Sequence, residues 1–234
     1  MGRVIIQKWT EKNPITMIGA EAGVCYGSNT EDHNKNYARG IDCLQSEHGR
    51  TWEYPQIYMV LDGYSARVMR EFYTHVGGLS TRTQASTRYI NYRDFEFVVP
   101  DSIALNEDAK AEYLKTMKLI KSGLLALEAY GIPREDSANL LPLGMKTRVV
   151  CRMNLRTLID MTKVRICKRA LREFRDLMFD IWFALCGVSG EWEELMRRFY
   201  KPKCEYIGYC TEKNSCGRMP KKEQTDELAD SSEE

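Results

Sequence analysis

No stretch of this chain stays apolar long enough to span a bilayer, so no membrane anchor is expected. The N-terminal run Val4-Ile5-Ile6 is too brief for a secretory core. Position six holds Ile6, not the Ser or Thr that N-myristoylation wants. An excess of one charge is also lacking: 34 Lys and Arg face 33 Asp and Glu. That excludes a protein coating a nucleic acid polymer through bulk charge, but leaves room for a small anion in a local arginine pocket. No internal repeat is present. With no export signal in view, the eight cysteines read as reduced thiols and the protein as cytoplasmic.

Cys204, Cys210 and Cys216 are evenly spaced and no histidine follows them. A zinc site wants four ligands, usually with closer pairs. The fourth would have to come from Cys186 or another chain, so free thiols are expected and no metal.

The 234 residues suffice for one sizeable domain, or a domain with a tail. Strands are predicted over Arg3–Trp9, Gln56–Leu61 (stopped by Asp62-Gly63), Phe95–Val99 and Lys146–Met153. Helices are predicted over Ile15–Tyr26, Asp32–Gln45, Tyr64–Val76 and Asn106–Tyr130. Asn106 is the N-cap of the last and Gly131 its stop. Asn154 opens another helical region, in which a long helix runs to about Leu185. This order predicts one α+β domain over residues 1–200, with a mixed or antiparallel central sheet flanked by long helices. A cysteine-containing extension over 201–220 and a disordered polar tail over 221–234 follow.

Two clusters carry candidate chemistry. The first is Thr74-His75-Val76-Gly77-Gly78, followed by Arg82-Thr83-Gln84-Ala85-Ser86-Thr87-Arg88-Tyr89. Glycines let backbone approach a ligand, and arginine forks match phosphate or carbonyl oxygens in two-point geometry. The segment reads as a nucleotide site. The second runs from Asn154 to Arg175. On a single helix, Arg165, Arg169 and Arg172 would share one stripe. Two readings stand for it, a solvated charged face or a phosphate clamp. Ordinary structural roles stand beside the ligand roles elsewhere too. Asn154 suits a helix cap, Ser86 a turn, and Glu71 with His75 an i,i+4 pair.

These residues resemble the flavin-dependent thymidylate synthases. That family's signature is Arg-His-Arg, seven residues, then Ser-x-Arg-Tyr, behind a helix like Tyr64–Val76. His75 matches the histidine, Ser86-Thr87-Arg88-Tyr89 the closing run, and Arg70 an arginine before the signature. Asn154, Arg156, Arg165, Ala170, Glu173 and Arg175 match a second block in spacing. Glu135 with Leu141-Pro142 and His48-Gly49 with Glu53 match two more. Departures are equally plain. Thr74 and Val76 stand where the signature has arginines, and two extra residues precede Ser86. Gln84 stands for Glu, Tyr54 for a flavin-contacting His, and Asp160 for Asn. Ala138 stands for a nucleotide-binding Arg.

The resemblance implies a thymidylate synthase-complementing-like fold. It implies reductive methylation of dUMP to dTMP using FAD, NADPH and 5,10-methylenetetrahydrofolate, in a homotetramer with sites built between subunits. By the same resemblance Arg165 is catalytic, contacting and polarising the uracil. Arg70, Glu71, Ser86, Thr87 and Arg88 join Arg165 around dUMP. Tyr54, Thr74, His75, Arg82, Gln84, Asn154 and Asp160 face FAD, and His75, Asn154 and Asp160 the folate as well. Arg82 is the candidate substitute for a missing signature arginine. Two alternatives remain open: C5 methylation of another pyrimidine nucleotide, and a nucleotide-binding homologue without catalysis.

Overall fold

The computed structural model describes residues 2–75, 77 and 81–225. The elements in order are β1 (Arg3–Ile6), α1 (Pro14–Val24), α2 (His33–Gln45), β2 (Gln56–Ser65), α3 (Ala66–Phe72) and β3 (Thr81–Gln84). There follow α4 (Asp101–Ala104), α5 (Glu107–Ala129), α6 (Arg134–Ser137), β4 (Lys146–Asn154), α7 (Leu155–Arg165), α8 (Arg172–Cys186), α9 (Gly190–Phe199) and α10 (Lys203–Ile207). The strands form one sheet in the order β1-β2-β4-β3, every neighbouring pair antiparallel. The expected α+β domain is therefore found, with an antiparallel rather than mixed sheet. No helix among the described residues is long and apolar enough to cross a membrane.

One face of the sheet makes the core. Ile57, Met59 and Leu61 on β2 and Val149, Cys151 and Met153 on β4 are buried at alternate positions. Leu155, Leu158, Phe174, Leu177, Ile181, Trp192 and Leu195 join them from the helices. A satellite cluster of Phe95, Met117, Leu124 and Met145 sits under α5. Helices α1 and α2 touch backbone to backbone. A Cβ on Gly19 would lie 1.8 Å from the Asn36 carbonyl oxygen, and one on Gly40 2.0 Å from that of Ile15.

Several expected elements change. The first strand stops at Ile6, and Trp9 lies in a turn. Asp62-Gly63 does not stop β2; it makes a bulge, with Gly63 at φ +80°, and the strand runs on to Ser65. The helix expected from Tyr64 starts at Ala66, because Ser65 caps it by accepting from the Val68 N–H. Instead of a strand over Phe95–Val99 there is a single bridge, Phe97 to Met145.

The long helix running to Leu185 is two helices, α7 and α8. Arg175 takes the linker carbonyls of Lys168 and Ala170 at 2.6 and 3.0 Å. Arg169 thus lies in the linker and Arg172 turns to Asp101 at 3.0 Å, so no arginine stripe exists. β3 and α9 were not anticipated. α9 is capped by Ser189, which accepts from the Trp192 N–H. In return its Glu191 caps α1, accepting from the Ile15 and Thr16 N–H groups at 2.7 and 3.0 Å. At the far end Lys221 pairs with Cys210, and Thr225 donates back to the Lys221 carbonyl. Residues 226–234 of the expected tail lie outside the described residues.

Candidate functional site

The corner between β2 and α3 is fixed by Glu173 of α8. Its carboxylate accepts from the Ser65 N–H and hydroxyl, both at 2.7 Å. Beside it Tyr64 donates to Asp180 at 2.5 Å, and burial, the hydrogen bond and nearby carboxylates raise its pKa far above that of free tyrosine. α3 thus leaves the sheet in a set direction. Turns after Phe72 carry Thr74 and His75 on from it, their N–H groups donating to the Glu71 and Phe72 carbonyls.

Arg165 ends α7, where a cation suits the negative end of the helix dipole. The break after α7 allows Phe174, in the first turn of α8, to fold back beneath the guanidinium, 4.7 Å from its carbon to the ring centroid. Arg165 donates from Nε to His75 Nε2 at 2.8 Å, from Nη1 to Glu71 Oε2 at 2.7 Å, and from Nη2 to Thr74 Oγ1 at 3.3 Å. The group is largely enclosed, with the Arg165 side chain 18% exposed. Burial, then the Arg165 charge, pushes the His75 pKa down to about 4. The imidazole is therefore neutral near pH 7. Since its Nε2 accepts, the proton is assigned to Nδ1.

His75 and Thr74 also line a cleft of about 350 Å³ together with Gly77, Asn154, Arg156, Thr157, Asp160 and Glu53. Gly77 runs close against α7, and a Cβ there would lie 2.6 Å from Thr157 Oγ1. Asn154 is buried and caps α7, accepting from the Thr157 N–H at 2.9 Å. The cleft carboxylates are matched by cations, Glu53 with Arg156 at 2.7 Å and Asp160 with Lys163 at 3.1 Å. Thr74, His75, Asn154 and Asp160 thus line one cleft. Tyr54 is not among the cleft's lining and is half exposed beyond Glu53. Val76 and Gly78 lie outside the described residues.

The remaining candidates sit elsewhere. Arg82 reaches back from β3 to the Tyr73 carbonyl at 3.1 Å and stacks over the Tyr73 ring. Gln84 donates to Thr147 Oγ1 at 3.1 Å. Arg70 is exposed in the last turn of α3. Ser86 makes a turn, accepting from the Arg88 N–H, and Arg88 pairs with Glu135 at 3.0 Å. Next to them Thr87, Arg93, Arg134 and Ala138 line a small cavity of about 40 Å³. Within one chain, then, Thr87 of the Arg88 segment and the Arg165 partners Thr74 and His75 line separate hollows.

Sequence reading missed Phe174 and gave no role to Arg156 or Thr157. Arg156 was readable, two residues after Asn154. Phe174 was not, because its place depends on the break after α7. The cysteines differ too. It is Cys167, not Cys186, that joins Cys204, Cys210 and Cys216 around one cavity of about 100 Å³. Among the described residues no group of three His, Cys, Asp or Glu could hold a metal ion.

Residues 5–188 match the family profile described as thymidylate synthase complementing protein. A flavin-dependent thymidylate synthase from Thermococcus onnurineus is 33% identical over 176 residues, 70% of this chain and 68% of that one. Another, from Nitratidesulfovibrio vulgaris, is 28% identical over 190 residues, 76% of this chain and 74% of that one. Among solved structures, a flavin-dependent thymidylate synthase from Helicobacter pylori complexed with FAD and dUMP superposes with a TM-score of 0.68 at 19% identity, covering 85% of this chain and 100% of that one. A UMP/dUMP methylase from Streptomyces cacaoi, bound with 5-Br dUMP, gives 0.71 at 15% identity, covering 85% and 96%. These two likenesses are of fold.

Proposed function

Because this chain belongs to the thymidylate synthase complementing protein family, a family of methyltransferases, we propose that it methylates C5 of dUMP to give dTMP, using FAD, NADPH and 5,10-methylenetetrahydrofolate. The observation that carries this reading is the state of Arg165. It is a fixed, partly buried guanidinium beside a cleft, with three of its five N–H groups held by acceptors among the described residues. The two that remain suit a two-point acceptor such as an edge of uracil.

The cleft fits a flat, anionic, hydrogen-bonding cofactor. It offers the Arg156 guanidinium, the neutral His75 ring, the Thr74 and Thr157 hydroxyls and the thin backbone wall at Gly77. Its roughly 350 Å³ is near the floor of the roughly 300–1,000 Å³ of ligand pockets, which suits a dinucleotide site completed by a second subunit. FAD held there and reduced by NADPH would supply the hydride that turns the transferred one-carbon unit into a methyl group.

The chain's own task is to bind, orient and polarise. Arg165 stabilises the negative charge that develops on the uracil as C5 attacks. His75 stays neutral there and adds no second cation. In the proposed homotetramer Arg88 comes from a neighbouring protomer, and Ser86 and Thr87 offer hydroxyls beside it to the phosphate. Leu119 and Leu125 on the outer side of α5, 63% and 50% exposed, support such assembly. The eight free thiols agree with a cytoplasmic setting.

The test is tritium release. Methylation expels the C5 hydrogen, so [5-³H]dUMP should release tritium to water only with FAD-loaded protein, folate and NADPH together. A protein that takes up FAD and still releases none would end this reading. A second reading rests on Ala138, which gives the small cavity beside Thr87 only a methyl group. It predicts turnover of another pyrimidine nucleotide, such as UMP, and the same assay run on a nucleotide panel decides between them.

A further inference from the structure

We propose that Glu71, Thr74 and His75 form a clamp that sets the plane of the Arg165 guanidinium, and that Glu71 and His75 act as positioning residues for that group. This rests on the reading of Arg165 as the group that polarises the substrate.

The clamp is a local product of sequence. Positions i, i+3 and i+4 meet on one side of a helical turn, and the turns after Phe72 extend that geometry to Thr74 and His75. Thr74 gives its own hydroxyl proton to the Glu71 carbonyl at 2.7 Å, which turns an oxygen lone pair towards Arg165. Each guanidinium nitrogen therefore has a different acceptor. Phe174 covers one face of the group and stands edge-on to His75, with ring centroids 6.0 Å apart. Rotation about the last Arg165 torsions would break three bonds together. Among the described residues, the other face and two N–H groups are left for a ligand.

The clamp also tunes charge. Glu71, 32% exposed, offsets much of the Arg165 field. The charge that develops on a substrate then meets an ion pair held at one geometry, not a mobile lone cation. His75 serves only with Nε2 unprotonated. The charged groups facing it are Arg165 and Glu71, with Arg156, Glu53 and Asp160 across the cleft.

The experiment is heteronuclear NMR on the full-length ¹⁵N-labelled protein, with the His75 signal assigned through His75→Gln. The clamp predicts the Nδ1–H tautomer and a titration well below that of free histidine. In Arg165→Ala the tautomer should no longer be fixed, and the titration should move up. An Nε2–H tautomer in the wild type would overturn the clamp. Kinetics provide the second arm. Glu71→Gln and His75→Gln should lower kcat about 10- to 100-fold with the KM for NADPH unchanged, and Glu71→Asp should recover part of the loss. Unchanged kcat in both Gln variants would also overturn it. A wild type that turns over no pyrimidine nucleotide would instead refute the proposed function, with the NMR result still judging the clamp.

Discussion

Arg165 Nε and His75 Nε2 stand 2.8 Å apart although 90 positions separate them in the chain. The contact joins the two segments that carried the most suggestive residues, and it makes one a donor and the other an acceptor. Lysine cannot reproduce it, because an ammonium has no planar fork. Arg165→Lys should lower kcat by roughly 10²–10³-fold, the usual cost of removing one transition-state donor. The flavin absorbance of the loaded protein should persist.

The same contact gives stability a pH dependence. Burial and the Arg165 charge push the His75 pKa down to about 4 in the folded chain, from 6.5 for a free histidine. Between these values the unfolded chain binds the extra proton, so stability rises with pH. The His75 contribution is complete above about 6.5 and fades as pH falls towards 4. Urea midpoints measured from pH 4 to 7 should show a slope that His75→Gln reduces. An identical slope in the variant would refute the assignment.

Gly77→Ala tests the cleft wall. The new Cβ would come 2.6 Å from Thr157 Oγ1 and 3.2 Å from its Cγ2, and Thr157 is buried and cannot retreat freely. The wall must move instead. FAD affinity, read by quenching of flavin fluorescence, should fall several-fold, while the thermal midpoint changes by only a few degrees.

Two caps on remote carboxylates carry stability. Ser65→Ala removes the α3 cap and one partner of Glu173, and should cost about 1–2 kcal/mol. Glu191→Ala strips acceptors from the α1 N-terminus and should cost about 1.5–3 kcal/mol. Denaturant unfolding monitored by circular dichroism measures both.

Arg88 tests the intersubunit arrangement. Its exposed pair with Glu135 is worth at most about 1 kcal/mol, so Arg88→Ala should leave stability nearly intact while raising the KM for nucleotide. If sites are shared between protomers, refolding Arg88→Ala together with Arg165→Ala should restore partial activity by creating some sites with neither lesion. Two inactive parents that stay inactive when mixed would place both arginines on the same protomer's share of a site.

Much of this was legible before any coordinates. Asn106 and Gly131 framed α5 because caps and stops are local. His75, Thr74, Asn154 and Asp160 were chosen together and line one cleft. Elsewhere local signals misled. Asp62-Gly63 has the chemistry of a turn, yet neighbouring strands hold it in the sheet as a bulge. The stretch from Arg165 to Arg172 keeps helical periodicity, but Arg175 offers the linker carbonyls a better partner than the next helical turn.

The sequence alone determined which chemistry this chain can hold. It supplied a histidine and hydroxyls near glycine, a second segment rich in arginine, a net charge near zero and no long apolar run. Residue identity and spacing suffice for that, because capping, amphipathicity and charge act over a few positions. Only the tertiary structure decided that Glu71 and His75 grip Arg165, that Phe174 lies beneath it, and that Arg88 pairs with Glu135. Those outcomes depend on where distant segments are packed, and buried hydrogen bonds and close contacts select one arrangement among many that local preference allows.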